Sequence, residues 1–166
     1  MRDLTIVFDL DGTLIDTAPD LIRAANHVLA GQGVEPVAPE LLRPEISFGA
    51  RHIIAAGLRI RGVPFTEAAL DGMLDQFLAY YEENIAVESR PFAGLLDVLT
   101  ACREEGASLA VCTNKREGLS RLLLKELDMA SLFDAMAVLL DQSIVEVRFV
   151  HPPADGLAYE SSDHED

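Results

Sequence analysis

The sequence predicts an α/β fold: a Rossmann-like parallel-sheet core into which an all-helical segment is inserted. Three observations support this prediction. A short apolar run, Leu4 to Phe8, opens the chain as a buried strand. Only helical periodicity follows from about residue 17 to residue 88. A helix–strand–helix pattern then returns in residues 89–135, as expected when one sheet is interrupted by an insertion.

The helices of the inserted segment can be placed one after another. Thr17 is positioned to cap the first, which ends at Gly31 and Gly33. A second helix is predicted from Gly49 to Ile60, and a third begins at a Thr66 cap. Apolar and aromatic side chains recur at helical spacing in the third: Leu70, Met73, Leu74, Phe77, Leu78 and Tyr81. This stripe predicts packing within the insert rather than a cofactor site.

The second half of the chain returns to the core. A helix containing Leu95 and Leu99 stops at Gly106, and Ser108 to Cys112 then forms an apolar strand. Another helix follows, and weaker strand patterns lie in AMAVLLD and SIVEVRFV. The predicted segments are core residues 1–16, helical residues 17–88, core residues 89–135 and an atypical, partly disordered tail, residues 136–166. The core is therefore expected to be incomplete.

Composition restricts the classes of function. A formal net charge of −15 disfavours nucleic acid as a partner, because a phosphate backbone needs clustered lysine and arginine. No apolar run approaches the length of a membrane span, and charges near the N-terminus argue against a signal peptide. Cys102 and Cys112 are expected to be free thiols rather than a disulfide, which favours a cytoplasmic protein.

Two polar motifs follow the ends of two predicted strands, at the sheet edge where open α/β sheets bind ligands. Asp9 and Asp11 come after the first strand. One carboxylate can attack phosphorus, and the other can protonate the leaving oxygen and later deprotonate water. Mg²⁺ is the expected cation, since it bridges carboxylate and phosphate oxygens. After the second strand, Thr113 and Asn114 can donate hydrogen bonds to phosphate, while Lys115 adds positive charge.

These residues also allow other interpretations. Asp9 and Asp11 could be simple turn residues, but the apolar strand before them and Gly-Thr behind them disfavour this. A calcium loop starting at Asp9 would place Leu14 where glycine is needed and Asp20 where glutamate is expected. Thr113 and Asn114, taken alone, fit an ordinary strand-to-helix cap equally well.

The motif FDLDGTLIDT resembles the first motif of the haloacid dehalogenase superfamily, and AVCTNK resembles its second. The helical insert is similar to the cap of its phosphoglycolate phosphatase-like members. This resemblance, over roughly residues 3–134, implies a Mg²⁺-dependent phosphatase acting on a small phosphorylated metabolite through an aspartyl-phosphate. It implies that Asp9 is the nucleophile and Asp11 the acid–base, with both binding the metal, Asp11 through its carbonyl. Thr113 and Asn114 would bind the transferring phosphoryl group.

The chain also departs from the superfamily pattern. A lysine and an acidic metal motif are expected downstream of the second motif, yet the last lysine is Lys125. The expectation is a truncated or frameshifted chain whose open sheet edge favours association between copies. A non-catalytic remnant or phosphate-binding module, and a phosphomutase, remain as alternatives. Arg51 and His52 lie where cap residues of relatives reach the substrate, although solvated helix surface is an equally open interpretation.

Overall fold

The computed structural model describes residues 4–140 and 143–149 of the 166-residue chain. The strands in chain order are β1 (Thr5–Phe8), β2 (Ile15–Asp16), β3 (Arg90–Pro91), β4 (Ser108–Thr113), β5 (Ala135–Leu140) and β6 (Ser143–Phe149). The helices are α1 (Ala18–Gly31), α2 (Pro39–Leu42), α3 (Ala50–Ile60), α4 (Glu67–Glu83), α5 (Leu95–Glu104) and α6 (Glu117–Glu126). Two 3-10 turns, Arg43–Phe48 and Ala130–Leu132, complete the described elements.

A four-stranded sheet has the order β1-β4-β5-β6. Strands β1, β4 and β5 are parallel, with Phe8 opposite Val111 and Thr113 opposite Val138, and β6 runs antiparallel to β5. The predicted α/β fold with a parallel-sheet core is confirmed. The sheet extends beyond the boundary predicted at residue 135, because the weak strand patterns after it do pair. The predicted disorder from His151 onward falls outside the described residues.

Strands β1 and β4 differ in burial because of their places in the sheet. Strand β4 lies between two neighbours and buries Leu109, Ala110 and Val111. Strand β1 lies at one edge of the described sheet, where none of its residues is buried and Val7 remains 57% exposed, so the strand predicted at Leu4 to Phe8 forms but its predicted burial is wrong. Because β1 and β4 run parallel, their carboxyl ends meet at the same edge. The two predicted motifs are thereby brought together in space.

Helices α1 to α4 form a helical insert, defined here as residues 18–83, in which α1, α3 and α4 contact one another. Helices α3 and α4 confirm the second and third predicted helices, and the Thr66 hydroxyl caps α4 by accepting a hydrogen bond from the Ala69 amide at 3.2 Å. Thr17 is the N-cap residue of α1, as predicted, but its side chain makes no capping hydrogen bond. The Asp16 carboxylate accepts from the Ala18 amide at 3.3 Å instead.

The predictions from composition concerned the two cysteines and membrane spans. Cys102 and Cys112 are both free and partly buried, as expected. Within the described residues, none of the helices combines the length and apolar character that a membrane span needs.

A short antiparallel pair, β2 with β3, marks where the chain leaves the core for the insert and returns from it. The Asp20 carboxylate, in the first turn of α1, is fully buried behind this pair. It accepts hydrogen bonds from the amides of Glu88 and Ser89 at 3.0 and 2.8 Å and from the Ser89 hydroxyl at 2.7 Å. It also pairs with Arg23 at 2.7 Å. Asp20 therefore ties the returning segment to the start of α1.

Replacing Asp20 with asparagine is expected to lower the free energy of unfolding by about 3 kcal/mol. The amide cannot accept from all of these donors, and its own NH₂ group would face a backbone N–H. Thermal or urea unfolding measures the loss. Asp75→Asn, at an exposed position of α4, is the control and should change stability by less than about 0.5 kcal/mol. Equal losses in the two variants would contradict the role given to Asp20.

Candidate active site

A tight loop after β1 presents the first motif. Leu10 is fully buried between Asp9 and Asp11, and its carbonyl accepts a hydrogen bond from the Leu14 amide at 3.1 Å. Gly12 has a φ of +77°, in the left-handed region that favours glycine. Burying the leucine fixes the loop, so the aspartates on either side of it are held at the end of the strand.

Asp9 and Asp11 have different surroundings. Asp9 is exposed, and its Oδ1 accepts a hydrogen bond from the Leu10 amide at 2.7 Å. The side chain of Asp11 is only 16% exposed and pairs with Lys115. The outer carboxylate therefore faces solvent, while the inner one belongs to a buried polar cluster.

That cluster consists of Asp11, Lys115 and Tyr81. The Lys115 Nζ donates to both carboxylate oxygens of Asp11 at 3.2 Å and to the Tyr81 hydroxyl at 2.9 Å. Burial lowers the pKa of Lys115, and the Asp11 carboxylate opposes this shift. Burial also raises the pKa of Tyr81, and the negative charges of Asp11 and Asp20 add to the effect. The tyrosine thus remains a neutral hydroxyl that accepts from the ammonium.

The loop after β4 presents the second motif. Thr113 is buried, and its hydroxyl accepts a hydrogen bond from the Lys115 amide at 3.3 Å. Asn114 is exposed, and its Nδ2 donates to the Ser47 carbonyl of the helical insert at 3.3 Å. The loop thus shapes its own backbone through Thr113 and reaches the insert through Asn114.

A cavity of about 230 Å³ lies between this sheet edge and the helical insert. Four predicted residues line it, namely Asp11, Arg51, Asn114 and Lys115, while Asp9 and Thr113 do not. Its walls also include apolar side chains of both parts, among them Leu21, Phe48, Phe77 and Leu119. The cavity combines an apolar wall with clustered charge, as small-molecule sites commonly do.

The two residues predicted at the insert face behave differently. Arg51 lines the cavity, but its guanidinium pairs with Glu67 and Asp71 of α4. His52 does not line the cavity, and its Nε2 lies 2.5 Å from the carboxylate of Glu45. Both side chains therefore form ion pairs or hydrogen bonds with carboxylates of the helical insert itself.

Two polar residues of the cavity, Tyr81 and Arg116, were not predicted from the sequence as site residues. Tyr81 was assigned to the packing stripe of α4, although its hydroxyl contacts Lys115. The available signal was a hydroxyl in an otherwise apolar stripe, which a buried site must satisfy. Arg116 lines the cavity directly after the second motif, and its position next to Lys115 was the signal.

The residues that could hold a cation supply only oxygen. The described residues contain no group of three or more histidine, cysteine, aspartate or glutamate side chains suited to a metal. The Asp9 carboxylate and the Asp11 carbonyl, close in sequence at the strand end, are hard donors of the kind Mg²⁺ prefers. A site of so few protein donors fits Mg²⁺, which keeps several water ligands and binds substrate phosphate.

Comparison with known proteins extends these observations. The sequence model of haloacid dehalogenase-like hydrolases matches residues 6–145. The chain is 39% identical over 130 residues to a phosphoglycolate phosphatase of Agrobacterium fabrum, covering 78% of this chain and 56% of the relative. It is 35% identical over 130 residues to an N-acetylmuramic acid 6-phosphate phosphatase of Pseudomonas aeruginosa, with the same coverage of 78% and 56%. The chain thus spans little more than half the length of these curated relatives.

A solved structure supports the same comparison. The crystal structure of a predicted phosphoglycolate phosphatase from Haemophilus somnus superposes with a TM-score of 0.75 at 29% identity. The superposition covers 88% of this chain and 65% of that one. Both motifs, FDLDGTLIDT and AVCTNK, lie within residues 6–145, which the sequence model matches.

Proposed function

The chain belongs to the haloacid dehalogenase-like hydrolase family, and on this premise we propose that it hydrolyses small phosphate monoesters, 2-phosphoglycolate among them. One observation carries the proposal. The side chains of Asp11, Asn114 and Lys115, which follow two neighbouring parallel strands, line a single cavity closed by the helical insert. An acid–base carboxylate, an amide and a cation in one cavity supply the proton transfer and part of the charge stabilisation that phosphoryl transfer needs, and the proposed nucleophile, Asp9, lies two residues before Asp11 at the same strand end.

The proposed reaction has two steps. An Asp9 oxygen attacks phosphorus, the bond from phosphorus to the substrate oxygen breaks, and Asp11, which enters this step protonated, gives its proton to that oxygen. Water then attacks the aspartyl-phosphate, Asp11 takes a proton from it, and phosphate leaves with Asp9 restored as a carboxylate. The positive charge of Lys115 and the Asn114 amide are proposed to stabilise negative charge on the phosphoryl oxygens. The helical insert acts as a cap that excludes water.

Mg²⁺ is proposed as the cofactor, held by the Asp9 carboxylate and the Asp11 carbonyl. When bound, it neutralises negative charge that would otherwise repel phosphate from the nucleophile. Lys115 alone is a weak substitute, because its ammonium is already paired with Asp11. A cytoplasmic location remains a prediction from composition.

The relatives support a substrate class rather than one substrate. Phosphoglycolate and N-acetylmuramic acid 6-phosphate, in the names of the two relatives, are both monoesters of an aliphatic alcohol. They differ mainly in the size of the alcohol. Because the cavity wall is largely contributed by the helical insert, that insert is proposed to select among alcohols.

The test is phosphate release from 2-phosphoglycolate and from a sugar 6-phosphate, with Mg²⁺ and after chelation with EDTA. We expect turnover that requires Mg²⁺, because the unneutralised Asp9 carboxylate repels the phosphate dianion. Adding back excess Mg²⁺ is the control and should restore the rate. Binding of inorganic phosphate without turnover of either monoester would instead support the phosphate-binding module.

A further inference from the structure

Two side chains of the loop after β4 form hydrogen bonds with the helical insert. Asn114 Nδ2 donates to the Ser47 carbonyl at 3.3 Å, and Lys115 Nζ donates to the Tyr81 hydroxyl at 2.9 Å. Ser47 lies in the Arg43–Phe48 turn and Tyr81 in α4, so two separate parts of the insert meet one loop. This loop is therefore held from both the sheet and the insert.

The hydrogen bond from Lys115 to Tyr81 gives the lysine ammonium its third acceptor. A lysine ammonium has three N–H donors. Lys115 has one acceptor for each: the two Asp11 oxygens at 3.2 Å and the Tyr81 oxygen at 2.9 Å. The same nitrogen lies 4.5 Å from the centre of the Tyr81 ring. Tyr81 is the member of this set that the insert contributes.

Packing alone does not account for a tyrosine at this position. Tyr81 is 1% exposed, and its ring stacks on that of Phe77, whose centre lies 5.9 Å away. Phenylalanine would fill the same volume, as it does at position 77, one turn earlier. Burying a hydroxyl is unfavourable unless it is hydrogen-bonded, and its partner here is Lys115. The hydroxyl thus has a role distinct from that of the ring.

We propose that Tyr81 is a positioning residue: its hydroxyl, carried by the helical insert, holds the Lys115 ammonium against the Asp11 carboxylate and so orients the acid–base group when the insert closes on the sheet. This inference rests on the proposed phosphatase function. The Tyr81 hydroxyl makes the orientation of Asp11 depend on the position of the insert, because movement of the insert away from the sheet would remove one of the three acceptors of Lys115. The ammonium would then be free to turn away from Asp11.

The experiment compares Tyr81→Phe with Tyr80→Phe. Tyr80, the preceding residue of α4, is partly buried, stacks its ring on that of His27 and does not line the cavity. Tyr80→Phe therefore removes one hydroxyl from the same helix without touching the site. With 2-phosphoglycolate and Mg²⁺, Tyr81→Phe should lower kcat about 10- to 100-fold with little change in KM. Tyr80→Phe should leave both parameters unchanged.

A double variant tests whether Tyr81 acts through Lys115. Lys115→Met removes the ammonium, so adding Tyr81→Phe to it should cause no further loss of kcat. A purely structural role predicts instead that the two losses multiply. Thermal unfolding of each variant establishes that the protein measured is folded.

Hydrogen exchange provides a readout that does not depend on turnover. In Tyr81→Phe, backbone amides of residues 113–116 should exchange about 10-fold faster than in Tyr80→Phe, because one tie to the insert is lost. If the unaltered protein hydrolyses no monoester, the proposed function fails and this exchange comparison decides the positioning role alone. Equal kcat in the two tyrosine variants of an active protein, or equal exchange in both, would overturn the inference.

Discussion

Replacing Asp9 with asparagine is expected to reduce phosphate-monoester hydrolysis by at least about 10⁴-fold. The amide oxygen of asparagine is a poor nucleophile, so the aspartyl-phosphate cannot form. The amide also binds Mg²⁺ less well than a carboxylate does. Phosphate release from 2-phosphoglycolate measures the loss, and acid quenching followed by mass spectrometry of peptides containing residue 9 shows whether a phosphorylated species forms.

The exposure of Asp9 makes this substitution easy to interpret. The Asp9 carboxylate accepts a hydrogen bond from the neighbouring Leu10 amide, and an asparagine oxygen at this position can accept the same bond. Stability should therefore change by less than about 0.5 kcal/mol. Asp16→Asn is the matched control in the same motif, because Asp16 pairs with Arg43 at the surface and does not line the cavity. An Asp9→Asn variant with the same rate as Asp16→Asn would rule out the proposed nucleophile.

The fold was largely predictable because its local signals agree with one another. The apolar runs before Asp9 and Thr113 have the length and composition of strands, and the stripe on α4 has the helical period. Thr17 occupies the predicted N-cap position, but its hydroxyl does not make the capping hydrogen bond. Asp16 reaches the Ala18 amide, and burial leaves the Thr17 hydroxyl unpaired within the described residues. Such a choice depends on tertiary packing, which no local pattern records.

The site was predictable only in part, for a related reason. Parallel strands must end at one edge, so the meeting of Asp11 with Lys115 follows from topology. The contact of Lys115 with Tyr81 does not, because it depends on how the insert settles over the sheet. The pairing of Arg51 with Glu67 and Asp71 depends on the crossing of α3 with α4 in the same way. Contacts between elements that are distant in the sequence are set by how those elements pack, and the spacing of residues within one element does not record them.

Replacing Asp11 with asparagine is expected to slow hydrolysis of 2-phosphoglycolate by about 10²- to 10⁴-fold. Asparagine cannot give a proton to the leaving alkoxide or take one from water. An aryl phosphate should be affected less in the first step, because a phenolate leaves without protonation. With that substrate, the phosphorylated enzyme should accumulate, since its hydrolysis still needs a base. A rapid burst of phenol release followed by a slow steady rate would show this.

The ratio of the rates on an aryl and an alkyl phosphate distinguishes a slower chemical step from a loss of folded protein. Asp11→Asn leaves the buried Lys115 ammonium without its carboxylate partner, so a loss of stability of about 1–3 kcal/mol is expected as well. Unfolding removes active protein equally for every substrate, whereas loss of the acid penalises the alkyl ester more than the aryl ester. The role of Asp11 as the proton donor therefore predicts that the aryl-to-alkyl ratio of first-step rates, measured before the steady state, rises in Asp11→Asn and is unchanged in Asp16→Asn. An unchanged ratio in Asp11→Asn would leave only an electrostatic role for that carboxylate.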